Sequence, residues 1–249
     1  MKKRIQNLLQ KILGFENYLY YFSRFMIFTA RTFAYEMEFS RFIKLIPAGD
    51  NIILDIGANI GITSVVLAKK FPDSAIHAFE PIPPNILTIK RIIRHYKLKN
   101  VQLHETALGE ETGSLKMVVP VINNVRMQGL SHAYVEGNNE DWNKGDIYHM
   151  QMIRLDDLTA LKGDKKIVAI KMDVENFEYH VLKGSVELLK KHKPVIYCEL
   201  WNNEMRHLAI SLLKEIGYII QNNKGKKFEN SADESFADFI FIHPGNTWS

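Results

Sequence analysis

Between residues 173 and 178 the chain reads DVENFE, with Asp173, Glu175 and Glu178 following the apolar run 167–170. Carboxylates so placed either open a charged helix or line an active site at the end of a buried strand. In the second case a carboxylate can orient a hydroxyl or take its proton. Another acid, Asp55, stands two residues before Gly57 in LDIGANIG, which continues to Gly61. A further one, Glu80, lies in AFEP at 78–81.

The glycine loop narrows the ligand. Gly57 lets the backbone turn tightly and approach a ligand with no Cβ in the way. Gly61 opens the next helix, whose free amides can receive a carboxylate or phosphate. A dinucleotide fingerprint needs G-x-G-x-x-G, and Ala58-Asn59 breaks that spacing. Asp55 would repel a pyrophosphate and suits an ammonium or sulfonium centre. The stretch therefore favours S-adenosylmethionine over NAD. Glu80 follows at the separation expected of an acid that accepts both ribose hydroxyls. Taken alone, it also reads as a helix-start acid. Pro81, Pro83 and Pro84 fix the chain as it enters that helix.

These residues need a sheet to carry them. Apolar runs at 51–57, 75–79, 101–107, 168–172 and 194–200 read as strands. Helical spacing at 61–71, 84–96, 177–191 and 203–216 separates them, with Ile62, Val65, Val66 and Ala68 inward in the first. This alternation predicts parallel βαβ units in an open, doubly wound α/β sheet. Strands at 114–119, 218–221 and 238–243 complete the pattern, the last two joined by a polar segment over 222–237. Residues 121–149 show no clear period and read as a long functional loop or lid.

The 249 residues suit one large domain or two small ones, and no linker demands a second. Lysine plus arginine, at 32, barely exceed the 28 acids and are spread out, unlike a nucleic-acid footprint. Cys198, the one cysteine, excludes an internal disulfide and fits a core position in a reducing compartment such as the cytoplasm. Residues 1–48 read as a helical extension before a ligand-binding domain over 49–249. The basic start lacks a secretory signal's apolar core and cleavage site, and charges interrupt the aromatic stretch 18–42, so no membrane span is expected. The apolar stripe of this extension should pack on the domain's own sheet. A homodimer contact or an interfacial membrane helix are the alternatives.

Five ordered motifs, DIGANIGITS (55–64), AFEP (78–81), NVQLHETALGEETGSL (100–115), RLDDL (154–158) and IKMDVENFEYHVLKG (170–184), resemble the FkbM-type S-adenosylmethionine-dependent methyltransferases. The likeness continues through PVIYCEL at 194–200 and covers roughly residues 50–200. It implies a Rossmann-like class I methyltransferase fold, with a mostly parallel seven-stranded sheet in the order 3-2-1-4-5-7-6 and helices on both faces. It also implies O-methyl transfer to a hydroxyl of a sugar, glycan or secondary metabolite. By position, Asp55, Gly57, Ala58, Asn59 and Gly61 would border the methionine part of the cofactor. Glu80, followed by Pro81, would hold the ribose, while Ala107 and Leu108 would line the adenine pocket. The family usually has glycine at 176; Asn176 departs from it but tolerates a left-handed backbone.

For the chemistry, Asp173 is the first candidate for base or orienting group. Glu175 shares its face if the strand continues, and Glu178 reads as a helix-start acid. Glu199 approaches from the next strand, and with Asp173 and Asn202 it could hold Mg²⁺. His132 reads either as a base carried by the long loop or as a solvent-facing histidine. The competing functions are a cofactor-binding partner subunit without catalysis and, against the glycine spacing, an NAD-dependent oxidoreductase.

Overall fold

The computed structural model describes residues 2–32, 37–222 and 237–246. Helices α1 (Lys2–Leu13), α2 (Phe15–Thr32) and α3 (Met37–Leu45) come first. A parallel unit follows: β1 (Ile52–Ile56), α4 (Ile62–Lys70), β2 (Ala75–Phe79), α5 (Pro83–Tyr96) and β3 (Val101–His104). The strands β4 (Ala107–Leu108), β5 (Gly113–Ile122), β6 (Val125–Arg126), β7 (His132–Ala133) and β8 (Gly145–Ile153) come next. The remainder is β9 (Ile167–Met172), α6 (Glu178–Lys183), α7 (Val186–His192), β10 (Val195–Glu199), α8 (Glu204–Ile216), β11 (Ile219–Asn222) and β12 (Asp238–Ile242).

The main sheet runs β11-β12-β10-β9-β1-β2-β3, with β12 antiparallel to both neighbours and the other pairs parallel. Counted within this sheet, the order is the expected 3-2-1-4-5-7-6. Central β1 and β9 are buried throughout, as strands covered on both faces must be. Strand alternation sorts their side chains: Ile52, Leu54 and Ile56 join the core with α6, α7 and α8, and Ile53 joins the core with α3 and α4. Asp55 therefore shares the side of Ile53, toward α4. On α4, Leu67 is fully buried while Ile62 and Val66 are only partly so, a shift from the expected inward set.

Three expectations need correction. The strand over 101–107 breaks after His104, and Ala107–Leu108 pairs instead with β8. The helix over 177–191 breaks at Gly184-Ser185, where the Gly184 carbonyl accepts from the Asp156 amide at 3.0 Å and a Cβ on Gly184 would lie 1.9 Å from the Gly109 carbonyl oxygen. The restarted helix α7 gains an acceptor for its first amides: Asp156 takes hydrogen bonds from Glu187 N (3.2 Å) and Leu188 N (2.9 Å). The long loop is not featureless: parts of it join a small sheet, β4-β8-β5-β6, with β7 beside β5. Asn123 and Asn124, both at positive φ, make the two-residue turn between β5 and β6. On β8, Tyr148 and Met150 alternate inward and pack with Met117, Val119 and Ile82, so this sheet roofs the end of β2.

The N-terminal helices contact the core through α2 and α3. Leu19 and Ile27 of α2 are buried against residues of α4 and α5, and the Ser23 hydroxyl donates to the Ile60 carbonyl at 2.7 Å. Phe39 and Phe42 of α3 pack on Tyr197 of β10. No helix among the described residues is long and apolar enough to cross a membrane. Most of the polar segment expected over 222–237 lies outside the described residues.

Gly184→Ala should lower stability by roughly 2 kcal/mol or more, a clash with backbone that cannot move aside. Gly163→Ala, with open space around the glycine, should stay near wild type. Urea denaturation measures both, and equal midpoints would contradict the close approach at Gly184.

Candidate active site

The cleft lies at the carboxyl ends of β1, β2 and β9, where an open α/β sheet binds ligands. Gly57 leaves β1 at φ +74°, and a Cβ on it would fall 1.8 Å from the Asp173 carbonyl oxygen. Only glycine lets these two chain segments nest. The Asp173 amide donates to the Ile56 carbonyl at 3.1 Å, locking them together. The amides of Gly57 and Ala58 both donate to the Phe79 carbonyl, at 3.1 and 3.0 Å. Gly61, at φ +82°, starts α4, and no side chain caps that helix.

Beneath the glycine turn lies a residue that sequence reasoning missed. Lys171 pairs in register with Asp55, so both side chains project to the same face. The buried Lys171 ammonium donates to the Gly57 carbonyl at 3.0 Å and lies 3.8 Å from Asp55 and 3.5 Å from Asp173. The signal was a lone lysine inside the apolar strand IVAIKM, where a charge needs partners. Asp55 itself is fully buried and also accepts from Ser64 Oγ at 2.5 Å. Burial raises its pKa, while Lys171 and Ser64 pull it back down. Asp55 thus stands behind the cleft wall, holding Lys171, and its carboxylate does not line the cavity.

The cavity is partly open to solvent. Among its lining are Gly57, Asn59, Glu80, Pro81, Ala107 and Leu108 from the expected cofactor set, together with Asp173 and Glu175. Leu115, Met117 and Ala133 of the small sheet form the roof. Ala58 borders the adjoining mouth with Lys171, Gln128 and Gly129, while Gly61 lies behind at the helix start. Gln128 and Gly129 are lining residues that the featureless reading of 121–149 had hidden.

Glu80 is buried and organises the turn before α5. Its Oε1 accepts from Ile82 N (2.9 Å) and Asn85 Nδ2 (3.1 Å), and its Oε2 accepts from Asn59 N (2.9 Å). A carboxylate has about four acceptor positions, so Oε2 keeps one for a ligand hydroxyl. Burial raises the Glu80 pKa to about 7 against these hydrogen bonds. Asn59 Oδ1 is buried with no hydrogen-bond partner among the described residues.

The acids of DVENFE separate by surroundings. Asp173 stays partly exposed beside Lys171. Glu175 sits at φ +52° and is followed by Asn176 at +71°, so the chain turns instead of extending. Burial, then repulsion from Asp173, Glu199 and Glu178, raises the Glu175 pKa to about 8. Asn176 accepts from Asn203 Nδ2 at 2.7 Å, tying this turn to the cap of α8. Glu178 folds back to accept the Val174 amide at 2.9 Å, and burial lifts its pKa to about 7.

Two candidates fall outside the cavity lining. Glu199 ends β10 but does not reach the cavity surface. His132 is neither solvent-facing nor aimed inward. It is buried on β7 against Trp142, with Nδ1 bonded to the Leu130 carbonyl at 2.7 Å, and strand alternation turns its neighbours Ser131 and Ala133 to the cavity. The Mg²⁺ set is likewise not assembled. Asn202 is exposed, and no group of three or more acidic, histidine or cysteine side chains among the described residues could hold a metal. The Lys171 ammonium supplies positive charge beside Asp173 instead.

The strand order, the glycine turn after β1 and the acid ending β2 define a class I methyltransferase fold. Residues 55–220 match the Methyltransferase FkbM domain, and the chain belongs to that family. Among curated relatives, "Methyltransferase 1" of Beauveria bassiana is 31% identical over 54% of this chain and 58% of its own. The "31-O-demethyl-FK506 methyltransferase FkbM" of Streptomyces tacrolimicus is 26% identical over 57% of this chain and 61% of its own. The chain thus spans less than two thirds of these relatives' length. A crystal structure of methyltransferase FkbM from Methylobacillus flagellatus shares the fold, with TM-score 0.52 and 18% identity over 79% of this chain and 44% of that one.

The raised Glu175 pKa has a signed consequence. A carboxyl whose folded pKa exceeds its unfolded value contributes stability below about pH 4.5 that is lost as pH rises through about 8. Glu175→Gln removes that dependence. Its thermal midpoint should gain on wild type progressively between these limits; a gap constant with pH would contradict the assignment.

Proposed function

We propose that this chain is an S-adenosylmethionine-dependent O-methyltransferase acting on a hydroxyl of a sugar, glycan or secondary metabolite. The carrying observation is one cleft in which the Gly57 turn, Glu80 and Asp173 meet. Its residues fit the cofactor: a Cβ-free turn, a buried unpaired acceptor on Asn59, and a Glu80 oxygen with a remaining acceptor position. When bound, the cofactor supplies an electrophilic methyl on a sulfonium. Glu80 and Asn59 would hold its polar groups, and Ala107 and Leu108 its flat apolar part. Family membership supports the reaction class, and the Streptomyces relative's name, which specifies an O-demethyl substrate, supports oxygen as the acceptor atom.

The protein's own contribution is positioning and proton handling. Asp173, at the open end of β9, orients the acceptor hydroxyl and receives its proton. Lys171 holds Asp173 and the Gly57 carbonyl in fixed relation, so the acceptor site and the cofactor turn move as one. Glu175 lines the same cleft, and burial with the neighbouring acids raises its pKa to about 8, so its carboxyl would present a proton to the acceptor. The cysteine Cys198 is buried and free, compatible with a cytoplasmic setting.

Asp173→Asn should lower kcat about 100-fold or more, the scale of general-base catalysis, while cofactor affinity stays within several-fold. Labelled methyl transfer to a panel of sugar nucleotides, glycans and polyketide alcohols reads the effect. An unchanged kcat removes Asp173 from the chemistry. Cofactor binding by wild type without transfer to any panel member would favour a non-catalytic binding subunit.

A further inference from the structure

Helix α1 turns most of its apolar side chains outward. Its inner side pairs Leu13, packed against the Tyr18, Leu19 and Ile60 cluster, with the polar Gln10, which is buried, donates through Nε2 to the Arg126 carbonyl and accepts through Oε1 from the Arg126 amide, both at 3.1 Å. Its outer side carries Ile5, Leu8 and Ile12, 52, 57 and 69% exposed, with Leu9 beside them at 40%. Spacings of three and four residues put these on one face. Scattered exposed apolar residues are ordinary, but a continuous stripe marks a contact surface. A second exposed row, Tyr21 and Phe25, follows at helical spacing on α2.

Charge decides what covers the stripe. Residues 1–13 contain Lys2, Lys3, Arg4 and Lys11 and no acid. Arg4 and Lys11 are exposed, at positions i−4 and i+3 from Leu8, and so flank the apolar stripe. A symmetric contact with a second copy would set these cations against one another, with no carboxylate in α1 to pair them. An anionic lipid surface satisfies both features, taking the apolar face into its acyl boundary and the cations at its headgroups.

We propose that α1, with the exposed row of α2, docks flat on an anionic lipid surface. In this contact the helices lie along the surface; no helix among the described residues is long and apolar enough to cross a membrane. It is coupled to the cleft through short links: Gln10 holds β6, and the turn that follows β6 supplies Gln128 and Gly129 to the cleft mouth. On the methyltransferase reading this would bring the cleft to acceptors held at a lipid surface, but docking itself does not rest on that reading.

Vesicle flotation of the full chain tests it without reference to activity. Wild type should float with vesicles of phosphatidylcholine plus phosphatidylglycerol, much less with phosphatidylcholine alone, and less at high salt. The triple variant Ile5→Ser, Leu8→Ser, Ile12→Ser should remain at the bottom. The double variant Arg4→Gln, Lys11→Gln should lose on the order of tenfold or more in partitioning to the anionic vesicles. Both variants alter exposed positions, and an unchanged unfolding midpoint confirms that they fold. Wild type that fails to float with anionic vesicles would overturn the proposal. So would a wild-type dimer that the triple variant converts to monomer.

Discussion

The ammonium of Lys171 is the point on which the cleft depends. A buried cation is costly unless charges and hydrogen bonds surround it. Here the register of β1 and β9 sets Asp55 opposite Lys171, strand alternation sets Asp173 on the same face, and the turn after β1 brings the Gly57 carbonyl to 3.0 Å. Removing one member of such a group typically costs about 3–5 kcal/mol, because its partner stays buried and unpaired. Two segments 114 residues apart in sequence are thereby fixed around one charge, and they form the floor of the cleft.

Close backbone approach is the second constraint, and glycine makes it possible at two places. Gly57 against Asp173 closes one side of the cleft, and Gly184 against Gly109 brings the start of α7 to the chain leaving β4. The second contact falls where a run with helical spacing becomes two short helices. It also draws Asp156 to the new helix start. The small sheet then roofs the space, with Met117 and Leu115 facing the same cavity as Glu80. The floor is rigid and polar at its edge, and the roof is apolar. That combination suits a ligand with a flat apolar part and a polar tail.

Much of this was legible in the sequence because it follows from local patterns. The apolar strands and the helices between them set the parallel sheet, and DIGANIG and AFEP marked the turns that line the cleft. What escaped depended on long-range pairing. The role of Lys171 exists only once β1 and β9 are in register. Asp55 looked like a ligand contact because nothing local shows that it is covered. His132 was read as a loop residue because the Asn123-Asn124 turn and the inward Tyr148-Met150 alternation were lost in a polar stretch. Glu175 was set on the face of Asp173 by extending the strand, whereas two successive left-handed residues, Glu175 and Asn176, turn the chain there. The Mg²⁺ set failed to assemble for a different reason: Asn202 is exposed, and a cation of the chain's own lies beside Asp173.

The central claim is that the Gly57 turn and Glu80 together hold an S-adenosyl ligand. Calorimetric titration with S-adenosylhomocysteine tests it most directly. Wild type should bind at about one ligand per chain, and Glu80→Ala should weaken that binding by roughly tenfold or more, the loss of a hydrogen bond to a charged group. No heat of binding to the folded wild-type protein, or an unaltered dissociation constant in Glu80→Ala, would contradict the account.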